Sequence, residues 1–134
     1  MTYEVSSEKL DLANFSGTTK VVLYNVKLDK IIGYTGSAEQ QKTGTAIDNE
    51  TEYDTYVFTL TKNGTGLDAT FTLKNTNNYG IYYNGSKVFS WSNSQLSDLT
   101  YTQYGYIKAG TAYMAHDGSS IGYYGSGYMT SNYQ

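Results

Sequence analysis

The chain has 134 residues, of which 16% are aromatic and 16% charged. That is too aromatic and too weakly charged for a disordered chain, and long enough for one modest core. There is no Cys, no Pro and no Arg, and the formal net charge is −3 with a pI of about 4.9. A disulfide framework and thiolate metal sites are excluded. A nucleic-acid partner is disfavoured because it calls for a basic, Arg-rich face. No apolar run reaches the roughly 18 residues of a membrane-spanning helix. The opening MTYEVSSEKL lacks the basic and apolar regions of a signal peptide, so the chain is either not exported by that route or has lost a leader.

A single domain is expected over residues 1–134. After a polar lead-in, Leu10 and Leu12 alternate with polar residues, which predicts a short strand ending at Gly17-Thr18. Strands follow at Val21–Tyr24 and Ile31–Tyr34, with a turn between them. The stretch 38–54 is polar and carries the acidic run Asp48, Glu50, Glu52, Asp54, which reads as a solvated insertion loop. Its carboxylates alternate as in calcium loops, but the turn glycine and closing glutamate of an EF-hand are missing. Further strands are predicted at Tyr56–Thr61, Ala69–Lys74, Gly80–Tyr83 and Lys87–Trp91. The last group is Tyr101–Lys108, Ala112–Ala115, Ile121–Tyr124 and Tyr128–Thr130. No segment combines helical periodicity with caps at both ends, so the chain reads as all-β.

Three stretches repeat one another: Val21–Ser37, Phe71–Trp91 and Ala112–Ser126. Superposed on Gly36, Gly85 and Gly125, they align Ile32, Ile81 and Ile121, each followed two residues on by Tyr34, Tyr83 or Tyr123. Asn25, Asn75 and His116 fall near one turn position, and Gly17-Thr18, Gly64-Thr65 and Gly110-Thr111 coincide upstream. Three copies of roughly four strands resemble the β-trefoil fold. The resemblance implies a barrel with three pseudo-repeats, with the N-terminal strand completing the third and Ile32, Ile81 and Ile121 meeting at a common axis. It is of the ricin-B-like kind, but the Gln-x-Trp motif of several trefoil lectins is absent, since the one Trp stands in Phe89-Ser-Trp91-Ser. The chain is also similar to small trefoil-like modules of secreted or surface proteins of gut bacteria, a likeness of fold only.

Period-2 alternation sends Leu23, Phe71, Leu73, the three Ile and Tyr34, Tyr83 and Tyr123 inward. It leaves Tyr79, Tyr82, Tyr113 and Tyr124 outward. Outward rings beside Asn, Asp and Ser suit a sugar, whose C–H face stacks on a ring and whose hydroxyls bond to the amides and carboxylates. The candidate ligand-binding residues are Tyr79, Tyr82, Asn84 and Trp91, with Asp117 and Tyr124 in the third copy. The plainer account is that Asn-Gly dipeptides make turns and Tyr favours strands. His116 is the only histidine and stands at a turn position, so neither catalysis nor a metal is expected there. No pair of carboxylates is spaced for glycoside hydrolysis. Asn14, Asn49, Asn63 and Asn84 stand in Asn-x-Ser/Thr acceptors.

The sequence therefore predicts a non-catalytic carbohydrate-binding or adhesion module, extracellular or at a cell surface, with no cofactor. Its partner would be a glycan or a protein surface, with no nucleic acid and no membrane span. The rival is a structural or protein-interaction domain of a surface or virion assembly. A protease inhibitor ranks last, because the loop 38–54 is acidic and has no Arg or Pro.

Overall fold

The computed structural model describes residues 11–25, 28–85, 89–102, 106–116 and 121–124, the backbone alone at 115, 116 and 121–124. It is an all-β structure with one short helix. The elements in chain order are β1 (Gly17–Asn25), β2 (Lys30–Tyr34), β3 (Glu39–Thr43), α1 (Glu50–Tyr56), β4 (Val57–Lys62) and β5 (Phe71–Asn75). Then come β6 (Gly80–Tyr83), β7 (Phe89–Ser92), β8 (Thr100–Tyr101), β9 (Ile107–Ala109), β10 (Ala112–His116) and β11 (Ile121–Tyr124).

All pairings are antiparallel. A seven-stranded sheet runs β3-β2-β1-β4-β5-β6-β7, and a four-stranded sheet runs β11-β10-β9-β8. The two are joined at β5, where Phe71 and Leu99 exchange both backbone hydrogen bonds at 2.8 Å. Strand β5 meets β6 only at Lys74–Gly80, so its far edge is free to take Leu99. Residues from both sheets fill one core: Leu23, Ile32, Phe58, Leu60, Phe71, Leu73 and Ile81 from the first, Ala109 and Ala112 from the second, with Leu12 and Leu99 between. Period-2 alternation explains the choice. On β4, Phe58, Leu60 and Lys62 point inward, while Thr59 and Thr61 do not.

The large sheet curls strongly. β3 and β7 are its two edges, yet the Trp91 indole Nε1 on β7 donates to Glu39 Oε1 on β3 at 2.7 Å. The edges share no backbone bonds, so among the described residues the sheet is not a closed barrel. Ile32 and Ile81 do share the core.

Several sequence expectations fail. The stretch 38–54 is not a loop, since it supplies β3 and most of α1. Asn49 caps the helix, its Oδ1 accepting from Glu52 N at 2.9 Å, and Glu50 and Glu52 suit the positive N-terminal end. At seven residues α1 is too short to stand alone, and packing holds it. Tyr53 and Tyr56 cover Ile31, Ile47, Val22 and Val57 on the sheet's outer face, forming a second small core. Lys42 on β3 ties this segment down, donating to Ala46 O, Asp48 Oδ2 and Glu52 Oε1 at 2.8, 2.8 and 2.6 Å.

The strand expected before Gly17 is instead a turn over residues 12–14, closed by Asn14 N and Phe15 N donating to Asp11 O, and β1 begins where that strand was to end. Two leucines were too few to tell a strand's alternation from a turn that buries Leu12. The Lys62 ammonium donates to the Leu12 carbonyl, and Gly66 N donates to Ala13 O at 2.6 Å, so the turn plugs one end of the core. The single strand expected over 101–108 divides into β8 and β9. The strand at 128–130 and the side chains of Ile121 and Tyr123 lie outside the described residues.

Candidate functional site

The β6–β7 hairpin carries two of the four ring residues that the sequence singles out, Tyr82 and Trp91. Its register pairs Ile81 with Trp91 and Tyr82 with Ser90. Residues directly opposite one another stand on the same face of an antiparallel pair. Trp91 therefore shares the core face with Ile81, while Tyr82 and Ser90 share the outer one. The two rings expected to form one site are on opposite sides of the sheet.

Trp91 is built into the fold. It stacks on Phe58 (centroids 5.7 Å apart, planes at 24°) and on Tyr34 (5.5 Å, 18°). Tyr79 continues the row against Tyr34 at 4.8 Å. The β5–β6 turn holds Tyr79 in place. Asn75 is 3% exposed, and its Oδ1 accepts from Tyr79 N while its Nδ2 donates to the carbonyls of Tyr34 and Thr55. Asn78 takes φ +66° there, a conformation asparagine tolerates better than most residues. Asn25 plays a similar part between β1 and β2, accepting from Leu28 N, with Asp29 at φ +52°.

The outer face is different. Tyr82 is half-buried and makes no ring stack or side-chain hydrogen bond among the described residues. Across from it stands Ser90, and exposed Asn84 follows two residues on. Gly80 precedes it by two residues on the same face. A Cβ there would lie 2.5 Å from Leu96 Cδ2 and 1.9 Å from Leu73 O, so the glycine lets the loop after β7 fold over the strand. That loop is bound along β6 by Ser97, whose N–H donates to Ile81 O at 3.0 Å and whose Oγ accepts from Tyr83 N at 2.8 Å. Leu96 itself remains 36% exposed. Leu96 thus stands over the Gly80 position, which is two residues, about 7 Å of strand, before Tyr82 on the same face. The sequence singles out Tyr82 and Asn84 as candidates and passes over Leu96 and Ser97, because Leu96 is a lone apolar residue in a polar loop. The signal for it was Gly80, a strand glycine that marks close approach of another segment.

The hairpin is well supported from beneath. Tyr83 packs on Phe89 at 4.8 Å, and Ile81 and Phe89 are buried. Of the third-copy residues, Asp117 lies outside the described residues. Tyr124 belongs to β11, where its backbone pairs with Tyr113.

Titratable groups elsewhere have structural explanations. The Tyr24 hydroxyl donates to Asp29 at 2.7 Å, and that bond raises its pKa. Burial raises that of Tyr56. Glu52 is held below the ordinary carboxylate range by the Lys42 ammonium and by Asp48 N–H, and Lys42 is raised by Asp48 and Glu52 in turn. Among the described residues no group of three or more His, Cys, Asp or Glu is placed to hold a metal ion. No helix among them is long and apolar enough to cross a membrane. Comparison with known proteins finds no matching family model, no matching curated protein and no matching solved structure.

Proposed function

We propose that the chain is a non-catalytic carbohydrate-binding or adhesion module, acting outside the cell or at its surface, with its ligand on the outer face of the β6–β7 hairpin. The observation that carries this reading is Tyr82, an outward ring with no stacking or hydrogen-bond partner among the described residues, on the face of β6 where Gly80 meets exposed Leu96, and flanked by Ser90 and Asn84. A pyranose stacks its C–H face on such a ring and turns its hydroxyl rim toward serine and amide groups. The rigid hairpin keeps the ordering cost of binding low. The test is saccharide titration by calorimetry or on a glycan array. Tyr82→Ala loses binding at least about tenfold, the 1.4 kcal/mol scale of one lost aromatic contact, while its thermal midpoint stays at the wild-type value. No binding of any saccharide at millimolar concentration removes the reading.

The β-trefoil-like architecture belongs to the same proposal. It is supported by the order of pairing: β1 with β4, β4 with β5, β5 with Leu99, and β9 with β10. That is the succession of neighbours around a trefoil wall, from which the hairpins β2–β3 and β6–β7 branch. The three similar stretches share an antiparallel pair at their start, β1–β2, β5–β6 and β10–β11, and the second stretch adds β6–β7. At the position of Tyr82 the first stretch has Gly33 and the third Gly122, so one ring site per chain is expected.

A second reading, a structural or protein-interaction domain of a surface or virion assembly, is favoured by β3. This edge strand presents exposed Gln40, Gln41 and Thr43 and pairs only with β2 among the described residues. A mass that rises with concentration in sedimentation supports it; a monomer at all concentrations does not.

A further inference from the structure

We propose that Asn63-Gly64 is a site of spontaneous backbone modification, and that its conversion loosens the N-terminal turn from the core. The reaction is attack of the Gly64 amide nitrogen on the Asn63 side-chain carbonyl carbon. Ammonia leaves, a cyclic imide forms, and water opens it to aspartate or isoaspartate. No oxidant, metal or enzyme is needed. The requirements are a following residue without a side chain, a carboxamide free to turn, and an attacking N–H not already engaged.

The asparagines differ sharply on these counts. Asn25 and Asn75 are buried at 6% and 3% exposure. Asn49 holds the α1 cap, Asn14 donates to Asp11, and Asn77 donates to the Tyr34 carbonyl. Only Asn63 and Asn84 precede glycine. Asn63 is exposed, and neither its carboxamide nor the Gly64 N–H has a hydrogen-bond partner among the described residues. Gly64 stands at φ +90°, and the nearest atom to a Cβ there would be Ala69 Cβ at 3.6 Å. The local backbone therefore has room to bring nitrogen and carbonyl carbon together without breaking a contact.

The position gives the reaction a consequence. Asn63 follows Lys62, whose ammonium holds the Leu12 carbonyl, and precedes Gly66, whose N–H holds Ala13 O. An isoaspartyl link inserts one methylene between these two anchors. It also adds one negative charge to a chain that already carries a formal −3. Both anchors cannot then keep their present geometry against residues 11–14.

The test incubates the full chain at mildly alkaline pH and physiological temperature, with peptide mapping over time beside a synthetic peptide of residues 60–69. The expected result is a gain of about one mass unit on the Asn63 peptide, resolved into two product peaks, at a rate comparable with the free peptide. The Gly66 amide then exchanges hydrogen faster in the aged chain than in the fresh one. Asn63→Ser, which keeps the exposed polar turn, removes the product and the exchange change while melting like wild type. Conversion an order of magnitude slower in the folded chain than in the peptide overturns the proposal. So does an aged, converted chain whose Gly66 exchange is unchanged.

Discussion

Replacing Trp91 by Phe keeps a ring between Phe58 and Tyr34 but removes the one donor that reaches Glu39 at 2.7 Å. A hydrogen bond to a charged acceptor contributes about 1.5–3 kcal/mol, and the half-exposed setting puts this one at or below the lower end, about 1 kcal/mol. Thinner stacking adds roughly another 0.5–1 kcal/mol. Because Glu39 has other interactions, the informative measurement is the double-mutant cycle of Trp91→Phe with Glu39→Ala, which removes the acceptor. Each single variant and the double are unfolded in urea and followed by far-ultraviolet circular dichroism. A coupling energy of about 0.5–1 kcal/mol is expected. For a domain of this size Trp91→Phe alone lowers the thermal midpoint by about 4–8 °C. In the wild type, Trp91 emission is only partly accessible to collisional quenchers, and becomes fully accessible at the global transition. If the two substitutions add within about 0.3 kcal/mol, the edges of the sheet do not meet in solution and the account of its curl is wrong.

Gly33→Ala is expected to be strongly damaging. Its Cβ would lie 2.1 Å from Thr55 O and 2.7 Å from Thr55 C, backbone atoms that cannot swing aside. Overpacking against backbone costs about 3 kcal/mol or more, read in denaturant melts. Gly85→Ala, in open space at φ +82°, costs only the left-handed strain of about 1–2 kcal/mol; equal losses at the two sites refute the close-approach argument. The Lys42 cluster sets a pH dependence with two limits. Glu52 is depressed, so its contribution is complete above the ordinary carboxylate range, about pH 4, and disappears as pH falls through the lowered folded value. Lys42 is raised, so its contribution is complete below about pH 10 and disappears as pH rises through the folded value. The midpoint difference between wild type and Lys42→Met is therefore a plateau between these limits and shrinks at both; a difference independent of pH contradicts it.

The all-β class and most strand positions were legible because strands announce themselves by period 2. Phe71 and Leu73 alternate with Thr72 and Lys74, and the structure buries the first pair. The segment 38–54 was misread for a physical reason. β3 is an edge strand of polar residues only, which face water, the Lys42 cluster or, at Glu39, the Trp91 indole, so it has no apolar alternation to detect. The helix is only seven residues long and shows no repeating face, although Asn49 followed by Glu52 has the form of a cap. The site was half legible. Outwardness of Tyr82 follows from its place beside Ile81. The inward turn of Trp91 was legible too, since Phe89 and Trp91 alternate with Ser90 and Ser92, but placing Trp91 among the ligand-binding candidates passed over that alternation. The register with β6 shows it directly.

That register also answers the objection that a tyrosine-rich chain merely uses its rings as filler. Most of the described rings are indeed spent on structure. Tyr34 and Tyr79 stack beside Trp91, Tyr53 and Tyr56 hold the helix, Tyr83 packs on Phe89, and Tyr106 meets Tyr113 edge to face at 6.0 Å. Tyr24 is exposed, but its hydroxyl is committed to Asp29. Tyr82 is left with neither a ring partner nor a hydrogen bond among the described residues, on a strand whose other face is locked into the core. A ring kept only for strand propensity is replaceable by Val or Thr at a cost under about 1 kcal/mol, and so is a ring kept for a ligand. Stability therefore cannot separate the two roles. Tyr82→Thr, compared with wild type in both a urea melt and a saccharide titration, does so: loss confined to the titration assigns the ring to recognition, and no change in either assigns it to the strand.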